Sequence, residues 1–295
     1  MYDDRGAERR GWAATLDSLR PRLIRMAYQM LGSVTEAEDV VQEAFLRCLD
    51  VDSNEIRDPE AWMRQVVTRL SLNHLQSARR RRESYIGPWL PEPVIEPMES
   101  EVDDVTLPLL LSLERLSPLE RAAFLLHDVF DVSFDEIAQT LGRTPEACRQ
   151  LASRARARVR EARPRFPVPK ERGLKIAEAF FTASRSGDMQ SLRALLSDDV
   201  RAFADGGGNT GATPEPIVGL EAVARLHEKL AALFAEMPSR LVRYAFINGL
   251  PGFVSIEKDD MLQTTALELE RDKIVAIYVV QNPDKLLHVC FDTVH

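Results

Sequence analysis

The chain has only three cysteines in 295 residues, at positions 48, 148 and 290, and no CxxC pair. That spacing excludes a disulfide framework and the common zinc motifs, so three reduced thiols and no metal or other cofactor are expected. No apolar run approaches the roughly 18 residues of a membrane span. The opening MYDDRGAERRGW lacks the apolar core of a signal peptide. A cytoplasmic protein with no membrane partner is therefore expected, monomeric when free. Bases are missing altogether from residues 83–104, which hold seven acids and sum to −7. Within that stretch GPWLPEPVIEP, residues 87–97, sets one of the chain's three tryptophans among four prolines. A solvated linker has no use for an exposed indole.

The whole-chain charge of −8 argues against a nucleic-acid partner only until it is resolved along the sequence. Residues 142–165 carry eight arginines against two glutamates, or +6. One cationic helix and one anionic linker are hidden in the average.

Leu16, Leu19, Leu23, Ala27 and Met30 recur at helical spacing, and Gly32-Ser33 ends that pattern. From about Glu36 to Leu49 a second helix turns Ala37, Val40, Val41, Ala44, Phe45 and Cys48 inward. Its opposite face carries Asp39, Gln42 and Glu43 with Leu46 in their midst. Leu46 is an incidental surface residue or the apolar anchor of a docking patch. A third helix starts near Pro59 and ends in SARRRRE, where Asn73, His74, Gln76, Arg79 and Arg80 make either a solvated helix end or a phosphate-contacting surface.

After the acidic linker 83–106, helices resume at Leu107. Ser117, Pro118 and Glu120 form a capping box. Ser133 caps a short helix, Gly142 makes a turn, and Thr144-Pro145 opens a longer basic helix, which together spell a helix-turn-helix. With Cys148, Leu151, Ala152, Ala155 and Val159 inward, Glu146, Arg149, Gln150 and Ser153 face out on the first two turns, where a recognition helix meets base edges. Arg154 and Arg156 follow as phosphate contacts or neutral surface.

Beyond residue 171 the pattern changes to three helices and then alternating strands joined by short turns, Arg271-Asp272 among them. This indicates an α+β domain with helices on one side of an antiparallel meander. Its net charge of −4 argues against DNA binding.

LIRMAYQMLGSVTEAEDVVQEAFLR resembles the core-binding part of domain 2 of extracytoplasmic-function sigma factors, and LSPLERAAFLLHDVFDVSFDEIAQTLGRTPEACRQLASRAR resembles their domain 4. The last third resembles the SnoaL-like, or nuclear-transport-factor-2-like, cone. One group of these factors joins all three and carries WLPEP, DGGGK and NPDKL motifs. Here WLPEP stands at 89–93, DGGGN at 205–209 and NPDKL at 282–286, so Asn209 replaces the group's lysine. The resemblance implies a multi-domain chain: domain 2 at 1–82, linker 83–106, domain 4 at 107–165, a short linker 166–171 and a SnoaL-like domain at 172–295. It implies that Asp39, Gln42, Glu43 and Leu46 dock on the clamp helices of the largest catalytic subunit of core RNA polymerase. Asn73, Gln76, Arg79 and Arg80 would serve the melted −10 element of promoter DNA, and the helix-turn-helix the −35 duplex. Trp89 and Leu90 would pack on the C-terminal domain near Asp205, Gly206, Gly207, Gly208 and Asn209 and the segment Asn282, Pro283, Asp284, Lys285 and Leu286, as a regulatory latch.

Two other readings stay open. One is a helix-turn-helix regulator with a sensing domain, which would have no use for the Leu46 face. The other is a cyclase- or isomerase-type enzyme using Asp205, His227 or Glu257 for proton transfer. Against it, residue type alone gives His227 a surface or capping role and Asp205 a turn role beside three glycines. A cone also offers room for a small ligand.

Overall fold

Packing of helical stripes and local caps together account for the first half of the chain. The computed structural model describes residues 4–49, 51, 56–83, 85, 87–96, 105–160, 168–208 and 215–289. Helices α1 (Asp4–Leu31), α2 (Val34–Leu49) and α3 (Pro59–Glu83) come first. Gly32 has φ 71°, a left-handed stop at the end of α1. Ser33 Oγ then accepts from Glu36 N at 3.1 Å to start α2. The inward stripe Ala37, Val40, Val41, Ala44 and Cys48 is fully buried. Asp58 Oδ1 caps α3 by accepting from Ala61 N at 3.0 Å.

Helices α4 (Leu107–Glu114), α5 (Pro118–Phe124), α6 (Phe134–Leu141) and α7 (Pro145–Val159) follow, with a π-turn at Leu125–Val129. Every local signal read for them is present. The Ser117–Glu120 capping box forms, Ser133 and Thr144 cap α6 and α7, and Gly142 adopts φ 63° between them. Arg121, buried on α5, donates to Leu113 O at 3.0 Å and Met30 O at 2.5 Å and pairs with Glu114. Residues 1–81 and 112–161 thus form one compact unit.

The second unit comprises residues 82–111 and 162–295. It contains α8 (Lys170–Ser186), α9 (Met189–Leu195), α10 (Leu220–Glu236) and strands β1 (Ile95–Glu96), β2 (Leu196–Asp205), β3 (Ile217–Val218), β4 (Arg240–Ile247), β5 (Leu250–Ile256), β6 (Leu262–Glu270) and β7 (Lys273–Val280). The strand order is β1-β4-β5-β6-β7-β2-β3. β4 to β7 form the expected antiparallel meander, but β2 pairs parallel with β7 because it enters the sheet from α9 on the helical side. Asn248-Gly249 and Arg271-Asp272 take positive φ at both positions, as tight hairpin turns demand. Register shifts in β2, β4 and β6 mark bulges, which bend strands.

The alternation of side chains gives this sheet two apolar faces. Phe253, Leu267, Ile274 and Ile277 meet α8 to α10. Val254, Ala266, Ala276, Tyr278 and Val280 meet Leu90 of the acidic stretch, Leu107 at the start of α4, and Leu286 and Val289 near the C-terminus. Residues 87–96 lie on the domain and add β1 to its edge, because this second face would otherwise be exposed apolar surface.

Candidate functional site

On α2, the stripe that packs inward leaves Asp39 and Gln42 exposed, Glu43 half-buried and Leu46 57% exposed. Glu43 accepts from Arg47 at 2.5 Å, which fixes one acid of the patch. An isolated exposed leucine ringed by polar groups on a rigid helix can act as an anchor for an apolar hole on a partner.

On α7, Glu146, Arg149, Gln150, Ser153 and Arg154 are all exposed and share the outer face. Arg149 lies 3.3 Å from Glu146 and 5.4 Å above the Phe134 ring, so its guanidinium is held over the first turn of the helix. Arg156 is less available than its spacing suggested, since its Nε donates to Asp128 at 2.6 Å. On α3, Asn73 is exposed. The side chains of Gln76, Arg79 and Arg80 lie outside the described residues.

The acidic stretch meets the C-terminal domain at Asp205, the last residue of β2, which is 1% exposed. Its carboxylate accepts from Leu90 N at 2.8 Å, Lys285 Nζ at 2.7 Å, Gly207 N at 3.3 Å and the Tyr85 hydroxyl. Lys285 also donates to Leu90 O at 2.5 Å. Its ammonium lies 4.2 Å from the Trp89 ring centroid and 4.9 Å from that of Tyr85, a cation held between two aromatic faces. Asn282 donates to Tyr85 Oη at 2.9 Å and accepts from Asp284 N at 3.1 Å, capping the turn Pro283–Lys285 that presents the lysine. Gly207 must be glycine, because a Cβ there would stand 2.7 Å from Asn282 Cγ. Burial, with the Asp205 carboxylate beside it, holds the Tyr85 phenol well above its ordinary pKa.

Four features of this site do not follow from the sequence. Trp89 is only half-buried, and Leu90, 1% exposed, is the apolar plug. Asp205 does make the expected turn contact to Gly207, yet it is also the acceptor for the whole linker. Asn248 is the third: its side-chain Oδ1 accepts from Val94 N at 2.5 Å and its backbone N–H donates to Val94 O at 2.9 Å. The Asn-Gly pair announces a hairpin turn, but nothing local shows what the asparagine binds. His288, whose ring nitrogen lies 2.8 Å from Pro93 O, was equally silent. Asn209 lies outside the described residues, and Lys285 is the cation that pairs with Asp205.

The cone interior corrects the reading of His227. It is buried, not a surface or cap residue, and stands edge-on to Phe180 with ring centroids 5.3 Å apart. Burial, aided by nearby Arg185, pulls its pKa down to about 4. Glu257 is buried too and accepts from Arg185 at 2.6 Å and Ser255 Oγ at 2.6 Å. The Arg185 guanidinium in turn lies 4.5–5.4 Å from the rings of Phe181, Phe234 and Phe253. Acid and base inside the cone are thus engaged only in part: His227 Nδ1 and the second Glu257 oxygen are buried without a hydrogen-bond partner. Among the described residues no helix is long and apolar enough to cross a membrane, and no cluster of metal-ligating side chains occurs.

Residues 15–81 match the family model of sigma-70 region 2, and residues 106–159 that of sigma-70 region 4. The chain is 37% identical over 289 residues to the ECF RNA polymerase sigma factor SigJ of Mycobacterium tuberculosis, with 91% of each chain covered. It is 32% identical over 275 residues to the probable ECF RNA polymerase sigma factor SigI of that organism, covering 90% of this chain and 92% of that one. The crystal structure of the Mycobacterium tuberculosis extracytoplasmic function sigma factor SigJ superposes with a TM-score of 0.74 at 32% identity, over 93% of this chain and 98% of that one. Two sigma-70 regions and near-full-length relatives with the same domain order make one conclusion: the chain belongs to the extracytoplasmic-function sigma factors, alternative sigma factors that direct promoter-specific transcription initiation.

Proposed function

We propose that this sigma factor docks on the clamp helices of core polymerase through Asp39, Gln42, Glu43 and Leu46, and reads the −35 duplex with Glu146, Arg149, Gln150 and Ser153 of α7. Asn73, Gln76, Arg79 and Arg80 serve the −10 element. The exposure of Leu46 on an otherwise well-packed helix supports the first assignment. The capped, outward-facing first turns of α7 support the second.

The fused C-terminal domain modulates initiation by holding the linker, and it works by contact, not by catalysis. The single observation that carries this is the buried Asp205 carboxylate, shared by Lys285, Tyr85 and the Leu90 amide. A carboxylate with that many donors is a structural acceptor. A linker seated there competes with any extended path between the two DNA-binding parts, so core polymerase and promoter must draw it off. Run-off transcription with core polymerase tests the scheme. Leu46→Asp should abolish transcription and co-elution with core. A form with Leu90→Asp should transcribe more than the parent at limiting core concentration. Equal transcription by parent and Leu90→Asp would refute modulation through the linker, and undiminished co-elution of Leu46→Asp would refute the docking face.

A further inference from the structure

Phe134 is the first residue of α6, directly after the cap Ser133, and it is half-buried. Acids suit the first turn of a helix, and Asp135 and Glu136 follow it there. A phenyl group at that position makes no cap bond and is not fully withdrawn from water, so neither local structure nor core packing explains it. Its ring is nevertheless fixed. His127, in the π-turn after α5, lies against it with ring centroids 4.0 Å apart and planes at 34°. His127 Nδ1 stands 3.1 Å from Val132 O, which orients the imidazole. The Arg149 guanidinium carbon then lies 5.4 Å from the Phe134 centroid, over the ring. A chain of contacts thus runs from the π-turn through α6 to the outer face of α7, and it ends on an exposed arginine.

We propose that Phe134 is a positioning residue for base readout: its ring holds the Arg149 guanidinium ready for the edge of one base pair and so sets how sharply that pair is discriminated. This rests on the assignment of Arg149 to the −35 duplex. An arginine free in solvent spreads over many rotamers, and ordering it on binding costs free energy that a preformed arrangement saves. Two neighbours restrain Arg149, and they differ in kind. Glu146, 3.3 Å from Arg149 Nη1, engages a donor that a guanine would need. The ring attracts the cation through its π face and uses none of the five N–H donors. A guanidinium held on that face is therefore already placed and still able to give two bonds to guanine O6 and N7. The helices themselves are seated by other residues, since Ile137 and Ala138 of α6 and Cys148 and Ala152 of α7 are buried. A change at Phe134 can accordingly loosen the arginine without moving α7.

The test assembles the full chain with core polymerase and selects bound templates from a duplex pool randomised across the promoter region, with sequencing giving the preference at each position. Arg149→Ala first identifies the base pair that Arg149 reads. Phe134→Leu, apolar but without a π face, should lower the preference at that pair about two- to fivefold, the worth of an exposed cation–π contact. Every other position and the salt slope of binding should stay as in the parent. Phe134→Tyr keeps the face and should keep the preference. In the Arg149→Ala background Phe134→Leu should cost nothing more, because the group it positions is gone. Phe134→Met supplies a second ringless variant if Phe134→Leu does not fold, with parent-like helical circular dichroism as the criterion for either. Positioning is overturned by an equal loss of affinity for all sequences, by an undiminished preference in the ringless variant, or by the same further loss in the Arg149→Ala background. Loss of the fold in both ringless variants would make Phe134 a packing residue and overturn it too. Arg149→Ala with no change at any position overturns the assignment of Arg149 itself, and the role of Phe134 falls with it.

Discussion

The outer face of α2, proposed above as a docking face, and the linker seat at Asp205 are made in opposite ways. Leu46 and its polar neighbours stand in solvent, so that helix is complete without its partner. Leu90, Asp205 and Lys285 are buried, and the domain is incomplete without the linker. A face for an external partner leaves fold energy untouched, whereas an internal latch is part of the fold. Substitutions should therefore separate the two: latch changes move stability, face changes move binding alone.

The largest effect is expected at Lys285. Lys285→Met leaves the buried Asp205 charge uncompensated, which costs on the order of 3–5 kcal/mol. Urea unfolding of the C-terminal unit should shift accordingly. Trp89 emission should shift to the red in a background with Trp12→Phe and Trp62→Phe, since the cation that orders the indole is gone. An unchanged midpoint would mean the pair contributes nothing to the seat.

Next comes pH. His227 is neutral in the fold, with its pKa depressed to about 4 from the ordinary 6.5. The unfolded chain therefore binds a proton before the folded one does. The resulting stability is fully present above about pH 6.5 and is lost as pH falls toward 4, by about 3 kcal/mol in all. His227→Leu should flatten that part of the stability profile. A parent profile with no slope between those values would contradict the assignment.

Smaller effects belong to the exposed faces. Arg149→Ala should cost about 1–3 kcal/mol of discrimination at one base pair of the −35 element, with melting temperature unchanged. Competition binding against single-base variants of the duplex reads it, and an unaltered preference at every position would move the recognition face elsewhere. Leu46→Asp should change stability by no more than about 0.5 kcal/mol while co-elution with core is lost. A large drop in stability there would erase the contrast between face and latch.

What could be read in the sequence follows the range of the forces involved. Caps and turns act over three or four residues, so Ser117-Pro118-x-Glu120, Ser133, Gly142 and Thr144-Pro145 announced α5, α6 and α7. Helical periodicity turned the inner stripe of α2 to the core and left Leu46 outside, by the same local rule. Arg271-Asp272 gave its hairpin for that reason too. The parallel pairing of β2 with β7, the burial of His227 against Phe180 and Arg185, and the bonds from Asn248 to Val94 join residues between 42 and 154 positions apart, and no periodicity reports such pairs.

By itself, then, the sequence determined the helices, their caps, the outward face of the first turns of α7, and the WLPEP and NPDKL segments. Only the tertiary structure decided that Leu90 and not Trp89 is the plug, that Lys285 supplies the cation, and that Asp205 receives them. The reason is physical. A side chain's outward or inward direction is set by its own helix or strand, but the worth of a charge depends on what excludes water around it, and here that is a sheet face assembled from both ends of the second unit.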